Sequence, residues 1–297
     1  MPFISGTQLW QWRQQAQQEA IATDIDSTEI DWLLREITQL DSLALRLESF
    51  RTYPQVELTI PFTELVQLWQ QRIHDAVPLQ YLVGMAPWRH FNLKVSPNVL
   101  IPRPETEQII DICLAASQEH PALAQGNWVD LGTGSGAIAL GLAEVFPQAT
   151  IYATDISVSA LAIAQENAQH LGLGSRIKFY QGSWWEPLAD LNLAINGVVS
   201  NPPYIPTDMV SQLQPEVVNH EPHLALDGGE DGLEYIRHLV NISPNYLCPG
   251  SLWLVEMMAG QAQGVTNLLQ QQGSYQDIKI ISDLAGIERF ALAYCLN

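Results

Sequence analysis

Asn201-Pro202-Pro203-Tyr204 brings together groups suited to gripping a planar amine. Asparagine carries a donor and an acceptor on one short amide. Two prolines lock φ and have no N–H of their own, so carbonyls are left pointing outward. Tyrosine adds a flat π-face. A rigid Asn-Pro carbonyl pair beside an aromatic plate suits a group bearing NH₂, either an amide or an exocyclic base amine. Asn-Pro is also a common turn signal, so its meaning depends on context. Here it follows an apolar run, residues 193–199 with Asn196 and Gly197 inside it, that reads as a strand.

A second constellation lies upstream, Asp130-Leu131-Gly132-Thr133-Gly134-Ser135-Gly136. An apolar run ends in glycines and passes into residues of helical period. Glycines there allow a tight turn and close approach of a ligand to the backbone. The spacing is G-x-G-x-G, unlike the G-x-G-x-x-G of dinucleotide sites. A further strand, residues 150–154, ends in Asp155. An acidic residue about 20 positions past the glycines suits a ribose diol. Asp155 also reads as a helix N-cap, which is compatible with binding.

The elements that hold these residues follow from periodicity. The first third reads as helices: Asp26-Ser27-Thr28-Glu29 caps Ile30, Leu33, Leu34, Ile37 and Leu40, and Leu65, Leu68, Trp69 and Ile73 repeat the pattern. Its tryptophans read as core aromatics, and its Gln-rich stretch 8–18 as an exposed helix face. Phe91, Leu93 and Val95 alternate, which predicts a short β-hairpin. From Pro104 onward apolar and helical stretches alternate, which predicts a doubly wound α/β domain. Strand candidates start near Trp128, Thr150, Ile177, Ala194, Leu252, Ile278 and Phe290. The expected organisation is a helical domain at 1–82, a β-hairpin linker at 83–103 and the α/β domain at 104–297.

The glycine loop, Asp155 and Asn-Pro-Pro-Tyr together resemble a class I methyltransferase using S-adenosylmethionine and releasing S-adenosylhomocysteine. Asn-Pro-Pro-Tyr is shared by amino-group methylases of adenine and of protein glutamine. Leu79-Gln80-Tyr81-Leu82-Val83-Gly84, Ile101-Pro102-Arg103-Pro104-Glu105-Thr106-Glu107 and Glu221-Pro222-His223-Leu224-Ala225-Leu226-Asp227-Gly228-Gly229-Glu230-Asp231-Gly232 narrow the likeness. Together they resemble the HemK/PrmC family, the protein-glutamine methyltransferases of peptide-chain release factors. The resemblance runs from about Leu79 to the C-terminus and is only general before it. It implies that Gly132, Thr133, Gly134, Ser135, Gly136, Asp155, Trp184 and Asn201 hold the donor. It implies that Asn201, Pro202, Pro203 and Tyr204 hold the acceptor, the glutamine of a Gly-Gly-Gln motif. Asn201, Pro202 and Tyr204 are the catalytic set: Asn201 Oδ1 and the Pro202 carbonyl take the amide hydrogens, and Tyr204 packs on the amide plane. Two departures stand out. Ser183 occupies a place where many relatives have an acid, and Met258 follows Glu256-Met257 where the family has Glu-Ile-Gly. No catalytic role is assigned to Glu256 or Gln261.

Composition fits a soluble cytoplasmic enzyme. Three scattered cysteines, Cys113, Cys248 and Cys295, read as buried thiols in a reducing compartment. Neither a secretory signal nor a membrane-length apolar run is expected. His220 and His223 lack a third ligand at recognisable spacing, so no metal is expected. The net charge is −19. Residues 1–82 hold 5 basic and 11 acidic side chains, a balance of −6. Residues 83–297 hold 8 and 21, a balance of −13. Phosphate-backbone binders gain affinity through Lys and Arg, so direct nucleic-acid binding is not expected. The acidity suits a partner with a basic face, and the enzyme is expected to be a monomer. Two alternatives remain open from the residues: an amino-methylase of adenine in nucleic acid, and a donor-binding interaction module without catalysis.

Overall fold

The structure, a computed structural model, describes residues 1–191 and 193–296; Asn192 and Asn297, both inside the expected α/β domain, lie outside the described residues. The chain divides into two compact units, residues 1–84 with 215–220, and residues 85–214 with 221–297.

The first unit is helical, with α1 (Gly6–Ala22), α2 (Thr28–Ile37), α3 (Ser42–Arg46), α4 (Phe62–Asp75) and α5 (Leu79–Val83). Helix α1 starts where Ser5 Oγ accepts from Gln8 N. Ile30, Leu33, Leu34 and Ile37 of α2 are all buried, as their i, i+3, i+4, i+7 spacing requires. Gln8, Gln11, Gln15 and Gln18 are exposed. Trp69 is fully buried in the core with Leu9 and Leu65. Two buried guanidinium groups organise the polar side. Arg13 reaches Asp31 at 2.6 Å and Glu48 at 3.0 Å. Arg72 reaches Glu29 at 2.6 Å and Glu216 at 2.7 Å, which holds residues 215–220 in this unit. A two-residue ladder of β1 (Phe3–Ile4) and β2 (Val56–Glu57), too short to show in periodicity, completes it.

The second unit opens with the antiparallel hairpin β3 (Met85–Trp88) and β4 (Phe91–Lys94). Phe91, Leu93 and Val95 are buried, and Trp88 joins the same core. There follow α6 (Gln108–Glu119), β5 (Asn127–Leu131), α7 (Ala137–Val145), β6 (Thr150–Asp155), α8 (Val158–His170), β7 (Ile177–Gln181) and β8 (Ile195–Ser200). After the short α9 (Thr207–Val210), and beyond α10 (Pro215–His220) of the first unit, come α11 (Glu234–Ile242), β9 (Leu247–Glu256), α12 (Ala262–Gln272), β10 (Tyr275–Ser282) and β11 (Glu288–Cys295). Every predicted strand is present, in one seven-stranded sheet of order β10-β11-β9-β8-β5-β6-β7. Only β11 runs against the rest. Strand β9 begins at Leu247, ahead of the expected Leu252, because Pro249 and Gly250 read as a break; the pairing with β8 shifts register there.

Helices cover both faces, so alternate strand residues enter different cores. Leu252 and Leu254 join Trp128 and Phe146 on one side, while Trp253 and Val255 join Ile236 and Val265 on the other. Strand order reverses between β5 and β8, the place where open α/β sheets leave a crevice at their carboxyl ends. No helix among the described residues is long and apolar enough to cross a membrane.

Candidate active site

The glycine loop leaves β5 in left-handed backbone: φ is +75° at Gly132, +54° at Gly134 and +87° at Gly136. Gly132 N and Thr133 N both donate to Thr154 O at 2.9 Å, which ties the loop to β6. A Cβ on Gly132 would stand 3.4 Å from the Trp184 ring, whereas one on Gly136 would stand 3.1 Å from Ala164 Cβ. Gly132 thus keeps a cradle open, and Gly136 serves the packing of α7 on α8. Asn167 of α8 donates to Ser135 O at 2.9 Å and to Lys94 O at 3.0 Å, joining loop and hairpin.

Two acids frame the loop. Asp155 accepts from Gly134 N at 2.9 Å and from Ser157 N at 2.8 Å. Burial raises its pKa against those bonds. Asp130 is fully buried; its Oδ2 accepts from Thr133 Oγ1 at 2.6 Å and Ala139 N at 3.0 Å, while Oδ1 is buried with no partner. Burial pushes this carboxyl up to about 7.

Strand pairing sets the other half of the site. Ser200 is the register partner of Leu131 on one side and of Val255 on the other. Asn201 therefore leaves the sheet between Gly132 and Glu256. Asn201 Nδ2 donates to Thr106 Oγ1 at 3.2 Å. Thr106 Oγ1 donates to Glu256 Oε2 at 2.7 Å, and Tyr204 Oη to Glu256 Oε1 at 3.1 Å. Glu256 has no exposed surface, and burial pushes its carboxyl up to about 7 against these bonds. Burial and the Glu256 carboxylate raise the Tyr204 hydroxyl as well.

The backbone of Tyr204 is clamped from behind. Gln261 Nε2 donates to Tyr204 O at 2.9 Å and to Gly232 O at 3.2 Å. A Cβ on Gly228 would lie 2.7 Å from Tyr204 Cα, and one on Gly232 2.4 Å from Tyr204 O. The Asp-Gly-Gly turn ahead of α11 is thus a bed for Tyr204.

A cavity of about 340 Å³ opens between these loops, within the second unit. Among the residues singled out from sequence, Gly132, Thr133, Gly134, Ser135, Asp155, Trp184, Asn201 and Pro203 line it. Gly136, Pro202 and Tyr204 do not; Pro202 is buried and Tyr204 turns its hydroxyl to Glu256. Of the lining residues without a site assignment from sequence, three make telling contacts. Tyr235 lies tilted against Trp184, with ring centroids 5.4 Å apart. Arg103 pairs with buried Glu221 at 2.7 Å, and Trp88 Nε1 holds its carbonyl at 3.2 Å. Thr106 reaches both Asn201 and Glu256. Arg103 and Thr106 stood inside a quoted motif, and Tyr235 opens a helix after the glycine turn, but neither position reveals a contact across the fold.

A methyltransferase-domain family model matches residues 124–226. The chain is 53% identical to the release factor glutamine methyltransferase of Synechocystis sp., with 99% of each chain covered. It is 46% identical to the release factor glutamine methyltransferase of Thermosynechococcus vestitus, over 98% of this chain and 99% of that one. It is 43% identical to that of Gloeobacter violaceus, over 95% and 96%. Among solved structures, the hMettl16 catalytic domain in complex with MAT2A 3'UTR hairpin 6 matches with a TM-score of 0.57. That likeness spans 89% of both chains at 14% identity and is one of fold alone.

Proposed function

Because the chain belongs to the release factor glutamine methyltransferases, we propose that its site moves a methyl group from S-adenosylmethionine to the side-chain amide nitrogen of glutamine in the Gly-Gly-Gln motif of peptide-chain release factors. The observation that carries this reading is the exit of the glycine loop and of Asn201 from paired residues of adjacent strands into one cavity.

The residues present fit the donor. The cavity falls in the size range of cofactor pockets, roughly 300–1,000 Å³. Gly132 and Gly134 give a backbone cradle free of side chains, and Asp155 offers a carboxylate to ribose hydroxyls. Trp184 and Tyr235 offer π-faces to the adenine. When bound, the donor supplies a methyl group already activated on a sulfonium. An amide nitrogen is a poor nucleophile because its lone pair is delocalised into the carbonyl. Placement therefore matters more than a strong base, and alignment at about 3–3.5 Å supplies much of the rate. Asn201 Oδ1 and the Pro202 carbonyl accept the two amide hydrogens and favour the positive charge that grows on nitrogen. Asn201 Nδ2 is already engaged by Thr106, which leaves Oδ1 as the acceptor. Tyr204 is held firmly enough to buttress the amide plane.

The helical unit is assigned to selection of the protein substrate. A glutamine side chain alone offers little binding area, and contacts made elsewhere on the partner supply energy for positioning. The acidic balance of this unit suits a basic face on the release factor, so association slows as salt rises. The enzyme acts as a cytoplasmic monomer, without direct contact to nucleic acid. Incubating the protein with labelled donor and purified release factors, then mapping the modified residue by mass spectrometry, tests the assignment. Methyl on the glutamine amide is the expected result; label on RNA or DNA instead would overturn it.

A further inference from the structure

We infer that Glu256, acting through Thr106, is a positioning residue that fixes which end of the Asn201 amide meets the acceptor. The inference rests on the reading above, in which Asn201 Oδ1 takes an amide hydrogen.

A carboxamide has two ends of nearly equal shape and opposite polarity. Turned by 180°, Asn201 would present N–H donors to the N–H donors of a glutamine, and the acceptor would be lost. Something must choose. The direct neighbour is Thr106 Oγ1, which receives Asn201 Nδ2 at 3.2 Å. A threonine hydroxyl cannot choose alone, because it donates and accepts. The choice comes from the next member. Glu256 Oε2 accepts the Thr106 hydrogen at 2.7 Å, and in its ionised form, above about pH 7, the carboxylate only accepts. The Thr106 proton is therefore committed to Glu256. Its lone pairs are left for Asn201, and only the NH₂ end can answer them. Polarity passes from Glu256 through Thr106 to Asn201, and Oδ1 is turned away from Thr106.

The same carboxylate governs the other end of the motif. Glu256 Oε1 accepts from Tyr204 Oη at 3.1 Å. One carboxylate, receiving a hydroxyl on each oxygen, thus orients the first and last residues of Asn-Pro-Pro-Tyr. Its location follows from the sheet: Glu256 ends β9 one residue past Val255, the partner of Ser200, so strand register places it beside Asn201. Full burial keeps it from turning to solvent. Burying a carboxylate costs free energy that its hydrogen bonds must offset. An orienting role accounts for its chemistry where a packing role does not.

The test compares Thr106→Val, Thr106→Ser and Glu256→Gln in the full chain. Hydrogen exchange of the Asn201 side-chain amide, followed by NMR on ¹⁵N-labelled protein without substrate, reads the chain of bonds directly. Exchange in Thr106→Val and Glu256→Gln should be faster by about tenfold or more, as for an amide released from a buried partner, and Thr106→Ser should match wild type. On a release factor, kcat should fall about 10- to 100-fold in Thr106→Val and Glu256→Gln, the scale of a small misplacement at the reacting centre. Donor Kd and the KM for the release factor should hold, and Thr106→Ser should recover most of kcat. Unchanged exchange in Thr106→Val would overturn the inference. So would equal losses in Thr106→Ser and Thr106→Val, or a kcat loss matched by lost donor affinity. If wild type shows the expected exchange pattern but leaves the release factor unmethylated, the functional reading fails and the orientation of Asn201 stands.

Discussion

Ser200 Oγ donates a 2.7 Å hydrogen bond to Leu131 O, cross-linking the last residues of two neighbouring parallel strands. The bond is fully buried, and the chains part immediately beyond it. One goes into the glycine loop and the other into Asn-Pro-Pro-Tyr. The spacing of the glycine loop and Asn-Pro-Pro-Tyr, the proposed donor and acceptor halves, is thus set by sheet register. A one-residue slip would turn every side chain of β8 to the other face.

Asp155→Ala should weaken donor binding about 10- to 100-fold, the cost of losing hydrogen bonds to a charged group. Isothermal calorimetry with S-adenosylmethionine measures it, with melting temperature as the check on folding. Unchanged affinity in a folded variant would remove Asp155 from the donor site.

Asn201→Ala should lower kcat by roughly 10²- to 10³-fold while donor affinity changes far less. The lost group is an acceptor whose bond strengthens as charge grows on the substrate nitrogen. Near-normal turnover would show that another group clamps the amide.

Glu256 carries a stability signature in pH. Its folded pKa, about 7, lies above the ordinary 4.5, so its contribution to stability is full below about pH 4.5 and is lost as pH rises through 7. The stability of Glu256→Gln relative to wild type should therefore climb between pH 5 and 8 by up to about 3 kcal/mol and then level off. Arg289 and Glu105 act on this carboxyl with opposite signs and leave burial as the main cause. Urea titrations at several pH values read the difference, and a flat difference across that window would show that Glu256 is ionised throughout.

Arg72→Ala should destabilise the helical unit by about 3 kcal/mol, the lower end of the cost of breaking a buried ion pair. Glu29 and Glu216 both lose their partner, and each is partly exposed, which limits the penalty. Thermal denaturation followed by circular dichroism measures it. A loss under about 0.5 kcal/mol would mark the pair as a surface contact in energetic terms.

The inner strands of the sheet were legible because they are buried on both faces and so appear as apolar runs. Ile151, Val198, Val199, Leu254 and Leu292 announce themselves without knowledge of their neighbours. The glycine loop was legible because its conformation is local. The Asn201–Thr106–Glu256 chain was not, because its members stand 95 and 150 residues apart. Glu256 in sequence is one acid at the end of a strand; only the β8–β9 register gives it a partner. Arg103 and Glu221, 118 residues apart, were hidden for the same reason. Tyr204 was read as an aromatic plate, and its hydroxyl bond was invisible until β9 was placed.

Residues 215–220 make the helical unit discontinuous in sequence. Cutting the chain near Gly84 does not release that unit whole, since Glu216 stays behind and Arg72 keeps only Glu29. A hybrid made by a single crossover would likewise join a helical unit to a foreign 215–220 segment. Exchange of the whole helical unit between relatives therefore calls for two coordinated crossovers, one near residue 84 and a pair of joins around 215–220 treated as one.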